Sequence, residues 1–315
     1  MDIKKNLFQL LLLLYSGLIM VISAFMLISF PIGAYTVFNT EIGDAITYQH
    51  PIELTSNITI ELGEGFIVLW CIYLALFSIL LFKNRNILHA LLISIKNYTH
   101  PYNNKLAMII VWFAILLVGS KAIDFIQQQF GIEIGEIKED NLLLKFFNLT
   151  TAPLKEEPIF RIMLIGLPTY LFFTNKRFNY KEFLYTLWLP SRYVNNRKVS
   201  VLIITSAVIF GLLHILSGWE YGKFTQSTFA GILLGFVYYR YGLHASIILH
   251  WSANYFLTSY GLFTNAVFAF PWDDVINNPL LAWLDLLLTT IGIIGLALYA
   301  GLLIKRFRIS LMDYS

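Results

Sequence analysis

The sequence predicts an all-α fold: a polytopic membrane helical bundle of about eight transmembrane helices, with the N and C termini cytoplasmic. Three observations lead there. Of 315 residues, 57% are hydrophobic and 13% charged, with a mean hydropathy of +0.68, whereas an ordinary soluble domain carries about 25% charged residues. The apolar residues gather in runs near the ~20 residues that cross a ~30 Å hydrocarbon core. The charges between those runs alternate in sign along the chain. Other classes fail on the same numbers. The 22 basic and 19 acidic residues are scattered between apolar runs, which makes no nucleic-acid surface. The single cysteine, Cys71, excludes an intramolecular disulfide and a cysteine-based zinc cluster.

Runs free of Asp, Glu, Lys and Arg cover residues 7–30, 66–82, 106–120, 199–219, 224–239 and 241–261. Residues 280–304 add a run broken only by Asp285, and 152–174 add one broken by a charged cluster. The first run follows Lys4 and Lys5, as a signal peptide would. It is longer than the about 7–15 residues of a signal h-region and lacks a small-x-small cleavage site, so it reads as a span. The connection 31–65 carries Glu41, Asp44, Glu53, Glu61 and Glu64 and no basic residue. The next, 83–105, carries Lys83, Arg85, Lys96 and Lys105 and no acid. Residues 121–151 are mixed. Residues 175–198 hold Lys176, Arg177, Lys181, Arg192, Arg197 and Lys198 against Glu182. Arg240, then Asp273 and Asp274, then Lys305, Arg306 and Arg308 continue the alternation. The positive-inside rule then places both termini in the cytoplasm of a multi-pass protein of the plasma membrane. Residues 87–98 and 178–189 read as short interfacial helices. Asn57 and Asn148 open glycosylation triplets in segments that read as outer loops. The chain divides into 1–149 (three helices with two outer loops), 150–261 (a central core) and 262–315 (a last helix and basic tail).

Ionisable residues inside the spans are the informative feature, because each costs about 2.5–3.5 kcal/mol at a helix centre unless paired or wet. The fourth span opens Lys155-Glu156-Glu157-Pro158-Ile159-Phe160-Arg161. Glu157 and Arg161 stand at i, i+4, the favourable order for an ion pair. Glu156 then points about 100° away, toward a different target. Pro158 is best tolerated in a first helical turn, which would put both glutamates near a positive helix terminus. The fifth span ends Phe210-Gly211-Leu212-Leu213-His214, and the seventh contains His250-Trp251-Ser252-Ala253-Asn254. At about 1.5 Å per residue, Glu156, His214, His250 and Asn254 all fall in the outer half of the bilayer. His250 and Asn254, at i, i+4, share a helix face. His244 points away near the inner face, so it and Asp285 read as packing residues. His50, His89 and His100 carry no argument.

The order E-E-x-x-x-R, F-x-x-x-H, H-x-x-x-N on separate spans resembles the CAAX protease and bacteriocin-processing (CPBP) family. These are intramembrane endopeptidases related to type II CAAX prenyl endopeptidases. The resemblance covers roughly residues 150–256 and includes the glycine-rich sixth span with Gly231 and Gly235. It implies that Glu156 and His214 activate a water and that Glu157 and Arg161 brace the site. It implies that His250 and Asn254 polarise the scissile carbonyl, with Phe210 in a supporting place. Ile162 follows Arg161 where many members have glycine. The chemistry is sound without the family. Peptide hydrolysis needs a base, a held water and donors to the oxyanion, and desolvation raises the basicity of a carboxylate.

Two mechanisms stay open. In one, glutamate and water act with no cofactor. In the other, Glu156, His214 and His250 hold Zn2+ as an open three-ligand metalloprotease site; no H-E-x-x-H motif is present, and the reading leans to the first. A rhomboid's Gly-x-Ser-Gly and a presenilin's paired intramembrane aspartates are absent. The remaining alternatives are a non-catalytic immunity or scaffold protein of the same fold and a proton-coupled transporter, for which inverted repeats are missing. The expected partners are a peptide or membrane-protein substrate and the lipid bilayer. A prenylated CAAX substrate would approach from the cytoplasm, whereas this topology opens the cavity outward.

Overall fold

Apolar segments in hydrocarbon have no water to satisfy their backbone, so they close every N–H and C=O within a helix. The computed structural model of the chain describes residues 3–40, 52–55, 58–82, 87–97, 104–135, 141–174, 178–194, 197–272 and 274–312, and its long apolar segments follow that rule. Among them, five helical stretches are long and apolar enough to cross a membrane: Asn6–Phe38, Leu62–Leu81, Lys105–Gln129, Val199–Leu216 and Pro279–Gly301. The protein is therefore an integral, multi-pass membrane protein.

In chain order the helices are α1 (Ile3–Phe38), α2 (Leu62–Phe82), α3 (Ile87–Asn97), α4 (Lys105–Gln129), α5 (Leu142–Glu157), α6 (Leu167–Phe173), α7 (Tyr180–Trp188), α8 (Val199–Leu216), α9 (Gly222–Tyr241), α10 (Leu243–Trp251), α11 (Leu257–Phe268) and α12 (Pro279–Met312). α3 and α7 coincide with the two short helices expected at 87–98 and 178–189. Two π-helical segments, Pro158–Gly166 and Ser252–Phe256, join α5 to α6 and α10 to α11 into continuous rods. Strands β1 (Ile52–Thr55) and β2 (Ile58–Ile60) form a small antiparallel hairpin with Ile52 opposite Ile60. An all-α reading passes over this hairpin, although the β-branched Ile52, Thr55, Ile58, Thr59 and Ile60 favour strand.

Three expectations need correction. The rod that carries the charged cluster starts at Leu142, so Pro158 stands in mid-rod rather than in a first turn, and the glutamates lie at the C-terminal end of their own helix, far from its N-terminus. A mid-helix proline leaves a carbonyl without its donor. Here it falls where the chain switches to π spacing, one of the local adjustments by which membrane helices absorb proline. The mixed segment 121–151 is not a loop at either end, because α4 runs on to Gln129 and α5 begins at Leu142. Asn148 and Thr150 of the second glycosylation triplet therefore lie within α5, with Thr150 fully buried. Glu41, Asp44, His50, Asn57, Lys83, Arg85, His100, Glu136, Lys138, Glu139, Asp140, Lys176, Arg177 and Asp273 lie outside the described residues, as does the tripeptide end of the tail.

Helices α8 and α9 make the most extensive pairing in the fold. Small residues permit it: a Cβ on Gly231 would lie 2.9 Å from Ala207 Cα, so only glycine lets the two backbones approach. Gly242, at φ +101, turns the chain between α9 and α10, a backbone that other residues rarely adopt. Under α10 lies an aromatic cluster in which Trp251 stacks on Phe30 of α1 (centroids 5.1 Å) and meets Tyr73 and Phe77 of α2. Tyr255 receives a hydrogen bond from Trp70 and donates one to the Ser29 carbonyl, both 3.0 Å. The two residues read as packing groups do pack. His244 stacks on Trp188 at 5.3 Å, nearly parallel, and Asp285 pairs with Lys121 at 2.5 Å.

Candidate active site

The centre of the site is a buried carboxylate. Glu157 sits at the end of α5, and Arg161, one turn on in the π segment, reaches back to it with Nε to Oε2 at 2.9 Å and Nη2 to Oε1 at 3.2 Å. Both side chains are fully buried, and the two-pronged contact is the strong form of the pair. The i, i+4 spacing anticipates this contact. Arg161 also reaches Ser206 Oγ of α8 at 3.5 Å, and that hydroxyl donates to the Phe160 carbonyl at 2.9 Å. Its guanidinium lies 5.6 Å from the Phe210 ring.

Glu157 then organises α10. The Ser246 hydroxyl donates to Glu157 Oε2 and His250 Nδ1 lies 3.0 Å from Oε1. An ionised carboxylate only accepts, so the proton of this contact sits on Nδ1. The ring orientation is thereby fixed, with Nε2 turned toward Glu156 Oε2 at 3.9 Å. Glu156 differs from its neighbour: its side chain is 32% exposed against 0% for Glu157. Its Oε2 has no hydrogen-bond partner among the described residues. One glutamate is consumed by structure and the other faces a cavity.

His214, near the C-terminal end of α8, has Nδ1 2.8 Å from the Phe210 carbonyl. A carbonyl also accepts, so this imidazole holds its proton on Nδ1 when neutral and offers the Nε2 lone pair. Phe210 touches both histidines, its ring centroid 4.5 Å from His214 and 6.0 Å from His250. Asn254 lies in the second π segment, one turn beyond His250, and its amide donates to the Leu149 carbonyl at 3.3 Å. The remaining amide proton is available to a further acceptor. Two adjoining cavities of about 260 Å³ each share His214, Lys223, His250 and Asn254 as walls, and Glu156 lines one of them. Glu156, Glu157, Arg161, Phe210, His214, His250 and Asn254 thus come together from α5, α8, α10 and the two π segments. Such π segments are frequent at functional sites.

Residues 138–256 match the family model of the Type II CAAX prenyl endopeptidase Rce1-like proteins. The chain carries an Rce1-like segment. That segment holds every residue of the cluster just described. No curated protein and no solved structure matches the chain.

Two further residues of the Rce1-like segment join the cluster without having been singled out in the sequence. Ser246 precedes His250 by four residues and Ser206 precedes Phe210 by four, so each shares a helix face with a residue already named. That spacing was the available signal; serine in an apolar span is otherwise too common to notice. A zinc ion fits the site only in part. Both imidazoles are oriented through Nδ1, as metal-ligating histidines are. Among the described residues, however, no three His, Cys, Asp or Glu side chains converge closely enough to hold one ion.

Proposed function

We propose that the protein is an intramembrane endopeptidase in which Glu156 acts as general base on a water held with His214. The observation that supports this reading best is the division of labour between adjacent glutamates. Glu157 is locked by Arg161, Ser246 and His250, and Glu156 is left facing the cavity. A water between Glu156 and the Nε2 lone pair of His214 donates to both and turns its own lone pair toward a carbonyl carbon. Glu156 takes the proton as the C–O bond forms and returns it to the leaving amine. The developing oxyanion is received by Asn254 Nδ2 and by His250 Nε2. Because Nδ1 of His250 already gives its proton to Glu157, the ring donates from Nε2 only as imidazolium, and Glu157 stabilises that charge.

The companion mechanism is tested with the same protein. In a purified-protein assay on a peptide library, Asn254→Ala is expected to lower kcat about 10²–10³-fold, the usual size for one lost oxyanion donor. Metal measured alongside is expected to be substoichiometric and unchanged in His250→Ala. Stoichiometric zinc that leaves with His250, with activity lost to a chelator and restored by zinc, would replace the glutamate–water mechanism by a metalloprotease one.

We further read eight crossings. To the five long apolar helices are added the rods 142–173 and 243–268 and helix α9, with both termini cytoplasmic and the cleft on the outer side. That orientation favours a secreted peptide, a leader sequence or a membrane-protein tail over a prenylated cytoplasmic one. In a Cys71→Ala background, cysteine at the exposed positions Glu220 or Ile276 is expected to react with an impermeant thiol reagent on intact cells. Cysteine at Arg197 is expected to react only after permeabilisation. Reversed labelling would put the cleft on the cytoplasmic side.

A further inference from the structure

Helices α4 and α9 are held side by side and antiparallel. Near one end the Gln127 amide donates to the Gly222 carbonyl at 3.1 Å, and near the other Lys105 Nζ donates to the Tyr241 carbonyl at 3.3 Å. Between these contacts the Phe229 ring covers Gly119, where a Cβ would lie 2.3 Å from it, and Trp112 meets Phe236 with centroids 5.1 Å apart. That register sets Ser120 level with Ser227, Leu117 with Ala230 and Phe113 with Leu234. On each helix the three residues recur at helical spacing and share a face. All six wall the cavity that Glu156 does not line, and His214, His250 and Asn254 border it as well.

This slot is graded in polarity. Its first level, Ser120 and Ser227, is hydroxylic and continues into Gln226 and Lys223. The next two levels are apolar and end on Phe113 and Leu234, both 1% exposed. There the Phe113 ring stands edge-on to Phe256 at 5.9 Å, and the Leu234 carbonyl is taken by the Ser246 hydroxyl at 3.1 Å. At about 1.5 Å per residue the three levels span roughly 10 Å. Opposite Leu117, the small side chain of Ala230 leaves the middle level open. Apolar walls of this kind suit an apolar side chain and not a peptide backbone, whose amides they would leave unsatisfied. Chemistry supplies the direction. Glu156 lines the other cavity, and in the reaction proposed above it hands its proton to the leaving amine. The amine half of the scissile bond then lies in that cavity and the acyl half over the graded slot.

We propose that the slot between α4 and α9 receives the side chain of the residue that supplies the scissile carbonyl, that this side chain is apolar, and that Ala230 sets its size. The inference rests on the peptidase reading and names the substrate class it takes: cleavage falls directly after a residue of leucine or phenylalanine size. The test uses peptides of one Ala/Ser-rich sequence that differ at a single central position, which is Ala, Leu, Phe or Lys. Turnover by the purified protein is measured for each, and the cut is located by mass spectrometry.

The Leu peptide is expected to exceed the Ala peptide at least about tenfold in kcat/KM, the scale on which an apolar pocket reads added methylenes. The Lys peptide is expected to fall below both, and the cut to follow the Leu. Ala230→Leu fills the middle level and is expected to lower the Leu-to-Ala ratio about tenfold. Leu117→Ala widens the same level from the opposite helix and is expected to raise Phe over Leu, so the test survives if either variant does not fold. Equal turnover of the Ala and Leu peptides, a cut before the apolar residue, or ratios unmoved in the folded variants overturns the proposal. Binding of the same peptides, fluorescently labelled, to Glu156→Gln protein separates the two readings. Tighter binding of the Leu peptide that Ala230→Leu removes, without cleavage by the unsubstituted protein, keeps the apolar side-chain site and refutes the peptidase reading. Cleavage indifferent to the central residue keeps the peptidase reading and refutes the slot. Neither binding nor cleavage of any peptide refutes both.

Discussion

Glu156→Gln is expected to abolish peptide cleavage while leaving the protein folded, with kcat falling by about 10²–10⁴-fold, the range ascribed to general-base catalysis. The two halves of that expectation have separate grounds. Activity falls because an amide oxygen cannot take the proton that the carboxylate takes from water. Folding survives because Glu156 holds little together: its Oε2 has no hydrogen-bond partner among the described residues and only a 3.9 Å approach to His250 Nε2, and the side chain lines a cavity. The measurement pairs turnover on a cleaved library peptide with thermal unfolding in detergent. Turnover retained in Glu156→Gln would move the base to another group, with Glu157 first in line.

Glu157→Gln and Arg161→Ala are expected to fail differently. Each leaves one fully buried charge without its partner, a loss of about 3–5 kcal/mol for pairs of this kind. The apparent Tm in detergent should drop in both, and yield should fall with it. Activity is lost too, because His250 takes its orientation from Glu157. Ser246→Ala removes one hydrogen bond to the same carboxylate and should cost about 1.5–3 kcal/mol, less than either charge. The ranking is the test. If Glu157→Gln unfolds at the temperature of the unsubstituted protein, the carboxylate is not the structural hub described here, and the division between neighbouring glutamates collapses.

Much of the site is legible in the sequence because helical spacing is a physical ruler. Glu157 and Arg161 at i, i+4 predict their contact, and the 100° step to Glu156 predicts that it faces elsewhere. His250 and Asn254 share a face by the same rule. The rule weakens where the helix changes pitch. Arg161 and Asn254 both fall in π segments, which no apolar pattern announces. Pro158 misleads for a related reason: the preference for a first turn assumes that a proline has no other shelter, and the π switch provides one. Among the described residues, polar side chains such as Lys223 and Gln226 in α9 and the breaks at 158 and 252 keep α9 and the rods 142–173 and 243–268, all read as spans in the sequence, outside the five stretches that are long and apolar enough to cross. Ser206 and Ser246 stayed hidden because a hydroxyl carries no charge to flag it.

The aromatic cluster beneath α10 bears on how far the Rce1-like segment could be transplanted. Trp251 follows His250 directly, and its ring is stacked on Phe30 and bordered by Tyr73 and Phe77, all three upstream of residue 138. Tyr255, next to Asn254, hydrogen-bonds Trp70 and the Ser29 carbonyl, and Tyr260 donates to the Phe25 carbonyl at 2.8 Å. The rod that carries His250 and Asn254 is therefore seated on the N-terminal helices, as a blade is seated in a handle. The boundaries of sequence similarity and of mechanical integrity do not coincide in this chain. A fragment cut to 138–256 would keep every reactive group and lose the surface that aims two of them, whereas α1 and α2 supplied as a separate chain could restore it.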